Sequence, residues 1–267
     1  MKKLICEKLR EIEQTENVRI LYAAESGSRA WGFASPDSDY DVRFIYVRPL
    51  KDYLQLNKPR DVIELPLNDV LDINGWDVSK ALCLLQKSNP SLFEWFASPI
   101  VYVDTAAADE IRRVMGAYFS VSKSTHHYFR HAMNTYQAYL MDDQIRVKKY
   151  FYALRPVLAC RWILERKTPP PMQFSELAEY ELPQELRNDV NALLNLKINS
   201  PEIATIPPMA AIHAYLEASF CEIANVLKNM EKDNPSRWEP LNDLFYTILR
   251  SAPVPVSHFA ESYSAGS

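Results

Sequence analysis

The triplet Asp39-Tyr40-Asp41, at the head of the run Asp39 to Val47, constrains this chain more than any other feature. The run is rich in branched and aromatic residues and reads as a strand. Residues two apart on a strand project from one face, so the two carboxylates stand only ~7 Å apart at the backbone. Two like charges that close are costly to keep ionised without a cation. A divalent metal resolves the conflict. Hard carboxylate oxygens suit Mg²⁺, which commonly takes one or two carboxylates together with substrate phosphates.

Upstream stands Gly27-Ser28, with ten residues between Ser28 and Asp39. Glycine lets a backbone approach a phosphate closely, and a serine hydroxyl with neighbouring N–H groups holds phosphate oxygens. A phosphate cradle one loop before a carboxylate pair is a sensible way to build a metal–triphosphate site for in-line displacement of pyrophosphate. Each element alone is weak, since a lone Gly-Ser is usually a turn and a lone Asp-x-Asp a solvated strand end. Their order, spacing and position between two expected strands carry the reading.

The rest of the chain supplies a frame. Lys3 to Glu16 has the apolar spacing of an amphipathic helix, and Val18 to Ala24 reads as a buried strand. Pro36-Asp37-Ser38 reads as a turn. Two further strands are expected over Asp61 to Leu67 and Asp69 to Ile73, joined by a tight turn near Asn68. Gly75 is expected to end that unit, and Trp76 to Lys87 to form a helix stopped by Asn89-Pro90. Beyond about Asp104 the pattern changes to long helices over Glu110–Val121, Thr125–Met141 and Ile145–Glu165, the last open to a kink or break at Pro156. Two more follow over Glu185–Lys197 and Pro208–Lys232, and the tail from Ser251 is expected to be loosely held. The expected class is α+β: a small mixed β-sheet domain over residues 1–105, then an α-helical domain over 106–267. The 5 glycines and 18 prolines agree with a mostly helical chain.

Net charge is −4 at pH 7, which provides no general attraction to nucleic acid but leaves room for a local basic patch. Cys6, Cys83, Cys160 and Cys221 are widely spaced, so neither a disulfide framework, a disulfide-linked partner nor a zinc site is expected. No apolar run approaches the ~20 residues of a membrane span, and the N-terminus lacks the apolar core of a signal peptide. The expected location is the cytoplasm. Hydrolase and P-loop chemistries lack their motifs: there is no Gly-x-Ser-x-Gly elbow, and Phe33 and Ala34 stand where a P-loop has Lys and Ser/Thr.

Gly27-Ser28, the spacer, and Asp39-Tyr40-Asp41-Val42 together resemble the signature of the DNA polymerase β-like nucleotidyltransferases. The longer string from Glu25 to Phe44 is similar to a bacterial and phage subgroup, some of whose members are associated with RNA repair. Lys87-Ser88-Asn89-Pro90, Glu94-Trp95 and Ser98-Pro99 also look like that subgroup. The resemblance covers residues 18–100 and weakens over Lys148 to Arg155. It implies transfer of a nucleoside monophosphate from an NTP to a hydroxyl, with Mg²⁺ or Mn²⁺, and release of pyrophosphate. It also implies a third carboxylate on an adjacent strand, which completes metal binding and can accept the proton of the attacking hydroxyl. Asp72 is the best match. Asp77 is the rival, although helix-start electrostatics explain it well. Asp39, Asp41 and Asp72 are then the catalytic and metal-binding set, and Gly27 and Ser28 the phosphate cradle. Arg29 contacts a phosphate or faces solvent, and Lys149 either reaches the triphosphate from the helical domain or belongs with Lys148 and Arg155 to a charged helix face. The acceptor stays open between an RNA 3′ end, a protein hydroxyl and a small molecule.

Several residues have two readings. Arg43 shares the parity of Asp39 and Asp41 and faces the site or makes a structural ion pair. Tyr152 lines the nucleotide cleft or packs in the core. His127 and His131 share a helical face without a nearby carboxylate in sequence, which favours solvated or inter-domain histidines over a zinc site. A non-catalytic nucleotide binder and an interaction module on the same fold remain the alternatives to an enzyme.

Overall fold

The computed structural model describes residues 1–66, 70–231 and 237–251. The turn expected near Asn68 and the tail beyond Ser251 lie outside them. In chain order the first elements are α1 (Lys2–Thr15), β1 (Arg19–Ser26), α2 (Gly27–Ala30), β2 (Tyr40–Val47), α3 (Leu50–Tyr53), β3 (Val62–Glu64) and β4 (Leu71–Asp77). Then come α4 (Val78–Gln86), α5 (Pro90–Phe96), β5 (Val101–Asp104) and α6 (Ala106–Met115). The remainder comprises α7 (Val121–Tyr139), β6 (Ile145–Arg146), α8 (Val147–Arg166), α9 (Phe174–Glu181), α10 (Arg187–Asn199), β7 (Thr205–Ile206), α11 (Ala210–Lys228) and α12 (Glu239–Ser251). This is the expected α+β class, a mixed sheet in the first part and helices after it.

The sheet runs β3-β4-β2-β1-β5. Only β2 and β4 pair in parallel, and the other neighbours are antiparallel. Strand alternation divides its side chains between two cores. On one face Val42, Phe44 and Tyr46 of β2 pack with Ile5, Leu9 and Ile12 of α1. On the other, Ile45 and Val47 join the apolar faces of α4, α5, α6 and α12. A third core holds α7, α8, α10 and α11 together, and Phe33, from the loop after α2, is buried in it.

Two local expectations give way to the structure, and a third holds but is incomplete. Gly75 does not end β4; the strand continues through Trp76 to Asp77. Gly75 pairs with Phe44 of β2, and a Cβ there would lie 2.2 Å from the Phe44 ring, so the glycine makes room for an aromatic ring inside the sheet. Asn89-Pro90 ends one helix and also starts the next. The Asn89 side chain accepts the Ser91 N–H at 3.0 Å, and Pro90 occupies the first helical turn, where a missing N–H costs nothing. Pro156 neither breaks nor ends α8, which runs through it.

Gly75→Ala is expected to lower stability by about 1–3 kcal/mol through overpacking against Phe44. Urea unfolding of the two proteins measures this directly. An unchanged midpoint would show that the ring has space to yield.

Candidate active site

The end of β1 delivers the first half of the site. Gly27 has φ +60°, a backbone that side chains with a Cβ rarely adopt. A Cβ on Gly27 would sit 2.0 Å from Asp41 Oδ2. Gly27 is therefore required twice, for the left-handed turn and for the close approach of a carboxylate. The turn closes with the Trp31 N–H on the Gly27 carbonyl at 2.9 Å and the Phe33 N–H on that of Ser28 at 3.0 Å. Ser28 is buried within it. The ten-residue spacer thus folds back so that Ser26 and Asp41 become register partners.

The second half comes from the parallel pairing of β2 with β4, in which Asp41 stands opposite Asp72. Both carboxylates reach one guanidinium nitrogen. Arg43 Nη2 donates to Asp72 Oδ2 at 2.7 Å and to Asp41 Oδ1 at 3.0 Å, while Nη1 donates to the Asp72 carbonyl at 3.0 Å. The Asp41 carboxyl is pushed above its ordinary pKa, chiefly by burial. Arg43 opposes that rise, and the negative charges of Asp39, Asp72 and Glu202 add to it. Asp39 precedes the strand and is exposed. Asp77 lies at the far end of β4. There it caps α4 by accepting the Ser79 N–H at 2.8 Å, and it accepts the Tyr53 hydroxyl at 2.9 Å. Asp72, not Asp77, is thus the carboxylate beside Asp41.

Two of the sequence-derived phosphate ligands have other partners. The Arg29 guanidinium donates to the carbonyls of Ser38 at 2.5 Å and Asp39 at 3.0 Å and lies 3.7 Å over the Tyr40 ring. It clips the segment entering β2. The Lys149 ammonium sits 3.5 Å over the Tyr139 ring and 5.5 Å from that of Tyr152. Tyr152 meets Trp31 edge-on at 5.5 Å. Its hydroxyl pKa is raised to about 12, chiefly by burial and further by the charges of Glu202, Asp41 and Asp39.

Two glutamates belong to the site without having been singled out in the sequence. Glu25 is buried at 1 % exposure, accepts the Asp41 N–H at 2.8 Å and accepts the Tyr102 hydroxyl. Burial raises its pKa. A charged residue ending the apolar run of β1 was its only visible signal. Glu202 arrives from the stretch after α10. It accepts Ser38 Oγ at 2.9 Å and Lys148 Nζ at 2.5 Å, and its own N–H donates to Asp37. The fully buried Lys197 completes this group, donating to Ser35 Oγ at 2.8 Å. No periodicity or motif reports such a cross-link.

The donor set fits a divalent cation in one respect that the geometry displays. Oxygens of two carboxylates on neighbouring strands already converge on a single cationic nitrogen. Among the described residues, no group of three His, Cys, Asp or Glu side chains is arranged to hold a metal.

A carboxylate pair on adjacent strands, with a glycine turn pressed against it, agrees with the polymerase β-like nucleotidyltransferase signature that the sequence resembles. The chain belongs to the RlaP family, described as the RNA repair pathway DNA polymerase beta family, which it matches over residues 1–247. The polymerase β superfamily typically uses divalent metals and NTPs. The chain is 42% identical over 251 residues to the uncharacterized protein YcgL of Bacillus subtilis (strain 168), covering 93% of this chain and 96% of that protein. A nucleotidyltransferase-like protein from Exiguobacterium sibiricum 255-15 aligns with 92% of this chain and 80% of its own, at 12% identity and a TM-score of 0.30. That likeness is too loose to transfer anything to this chain. Cys6, Cys83, Cys160 and Cys221 are all free thiols. No helix among the described residues is long and apolar enough to cross a membrane.

Gly27→Ala is expected to displace the Asp41 carboxylate and to cost about 1–3 kcal/mol of stability from backbone strain. A melting curve paired with Mg²⁺-dependent NTP titration tests both. Unchanged melting and binding would show that neither the turn nor the contact is needed.

Proposed function

We propose that this chain transfers a nucleoside monophosphate from an NTP to an acceptor hydroxyl and releases pyrophosphate. The observation that carries the reading is the juxtaposition of Asp41 and Asp72 across the β2–β4 pair, with Gly27-Ser28 packed against Asp41. Asp39, Asp41 and Asp72 would hold Mg²⁺ or Mn²⁺, which when bound neutralises charge on the triphosphate and polarises the α-phosphorus. Gly27 and Ser28 hold the β- and γ-phosphates, with Arg29 and Lys149 as further cations on that side. The acceptor oxygen forms a bond to the α-phosphorus, and the bond from that phosphorus to the pyrophosphate oxygen breaks. The acceptor's proton passes to the Asp72 carboxylate. Glu25 and Arg43 act behind these groups, holding the Asp41 backbone and the orientation of both carboxylates.

We read residues 1–105 as the nucleotidyltransferase domain and 106–267 as the helical domain that closes the cleft and selects the acceptor. Because α6 and α12 pack on the sheet, the cleft wall opposite the carboxylates falls to α7, α8 and the Glu202 stretch. The family's association with RNA repair favours an RNA 3′ end as acceptor. The net charge of −4 provides no general attraction for it, so contacts would be local.

A second reading rests on Arg43. Its guanidinium already bridges Asp41 and Asp72 as a cation. A chain that keeps that bridge while NTP is bound would bind nucleotide without transferring it.

Pyrophosphate release is the deciding measurement, with each of the four NTPs, Mg²⁺ and RNA. Asp41→Asn, Asp72→Asn and Asp39→Asn are each expected to reduce release about 10²–10³-fold, the scale of losing one electrostatic element of a transition-state site. Wild-type turnover in Asp41→Asn and Asp72→Asn would defeat the assignment. NTP binding without release across all acceptors would select the second reading.

A further inference from the structure

Two aspartates that face each other need a positive charge beside them, and this chain supplies one of its own. Arg43 Nη2 donates to Asp72 Oδ2 at 2.7 Å and to Asp41 Oδ1 at 3.0 Å. The other terminal nitrogen is anchored on backbone: Nη1 donates to the Asp72 carbonyl at 3.0 Å and to the Val42 carbonyl at 3.2 Å. The side chains of Arg43, Asp41 and Asp72 are 19%, 22% and 29% exposed. They are shielded enough for the bridge to escape most of the screening that weakens surface ion pairs, and open enough for an ion to reach the carboxylates.

A divalent metal held by Asp41 and Asp72 needs the same atoms. Mg²⁺ sits about 2.1 Å from a carboxylate oxygen, so an ion on Asp72 Oδ2 either takes the place of Nη2 or stands within about 5 Å of it. At that separation two positive charges oppose each other's binding. Among the described residues, no group of three His, Cys, Asp or Glu side chains is arranged around a metal position. The converging oxygens of Asp41 and Asp72 are arranged around a nitrogen instead.

The backbone anchors offer a way out of the conflict. Nη1 has partners other than the two carboxylates, so the guanidinium keeps its place through Nη1 while Nη2 gives the carboxylates up. A triphosphate favours that release. It brings oxygens that ligate the metal and negative charge that offsets the added cation. A free metal ion brings neither.

We propose that Arg43 competes with the metal for Asp41 and Asp72, so that the site binds free divalent ions weakly and takes metal together with the triphosphate. The inference rests on the reading that these aspartates hold a metal. It departs from the binding-only reading because the bridge opens when nucleotide arrives. Arg43 is then a positioning residue that sets the order of binding.

The test is Mn²⁺ titration of the full chain followed by electron paramagnetic resonance, without nucleotide and with each of the four NTPs. Without nucleotide, Arg43→Ala is expected to bind Mn²⁺ at least about tenfold tighter than the wild type, the scale on which one neighbouring charge shifts a carboxylate's proton affinity. The gain is expected to vanish in Arg43→Ala/Asp41→Asn. Millimolar guanidinium is expected to reverse it in Arg43→Ala, where an equal concentration of sodium does not. A purely structural Arg43 predicts the opposite sign, a loss of affinity as the carboxylates drift apart. Equal or weaker Mn²⁺ binding by Arg43→Ala would overturn the competition, as would a gain that survives Asp41→Asn or resists guanidinium. In each of those cases, wild-type Mn²⁺ binding that requires both an NTP and Asp41 would leave the metal reading standing. If neither protein takes up Mn²⁺ with or without NTP, the metal reading fails and the competition fails with it. Should Arg43→Ala melt below the assay temperature, Arg43→Lys decides. It keeps the charge but loses the fork, and at least about threefold tighter Mn²⁺ binding is expected. An unchanged affinity there would overturn the proposal.

Discussion

The parallel pairing of β2 with β4 is the constraint on which the site depends. Every other pairing in the sheet is antiparallel. Only the parallel one sets the starts of two strands side by side, so that Asp41 and Asp72 face each other at one edge. Such proximity raises the energy of both anions unless a cation sits between them. Arg43, two residues along the same strand face, supplies that cation and ties its second nitrogen to the Asp72 backbone. The same guanidinium thus stabilises the register and compensates the charges that the register brings together. Glu25 serves the neighbouring strand in a similar way, spending a buried carboxylate on the Asp41 N–H.

A second layer of polar contacts joins distant parts of the chain around the loop before β2. Ser35, Asp37 and Ser38 would be an ordinary turn in isolation. Here they receive Lys197 and Glu202 from more than 160 residues away, and Lys148 joins through Glu202. Of these charges only Lys197 is buried, so it is the one that would be left unpaired in a low-dielectric setting if Glu202 were removed. The loop that orients Asp39 is consequently held from both sides, by Arg29 within the sheet half and by Glu202 from the helical half.

Much of this was legible in the sequence where a local rule sufficed. Strand alternation placed Asp41 and Arg43 on one face, and helical spacing found α1, α7 and α8; Asp39, expected on that face, precedes the strand and is exposed. Gly75 was misread because a glycine inside a strand pattern looks like a stop, whereas here it accommodates the Phe44 ring on a strand 31 positions earlier. Pro90 was read as a terminator because it stops α4, yet the same dipeptide opens a seven-residue helix too short to show a period. Glu25 offered only a charge after an apolar run, and Glu202 offered nothing, since its partners are set by tertiary packing. The lysine on α8 was found as a cation, but its position over Tyr139 depends on a neighbouring helix.

The return of α12 to the sheet has an implication for how this chain is made. Leu241, Leu244 and Ile248 complete the core that Ile45 and Val47 of β2 begin. Between them in sequence lie all the helices that form the other core. On a ribosome that emits the chain from its N-terminus, the sheet and α1 emerge first and wait with one face incompletely covered. The helical half is synthesised and collapses in the interval. Only then does α12 arrive to close the earlier half, so the two cores mature in an interleaved order, with an apolar surface left open to mispairing in the meantime.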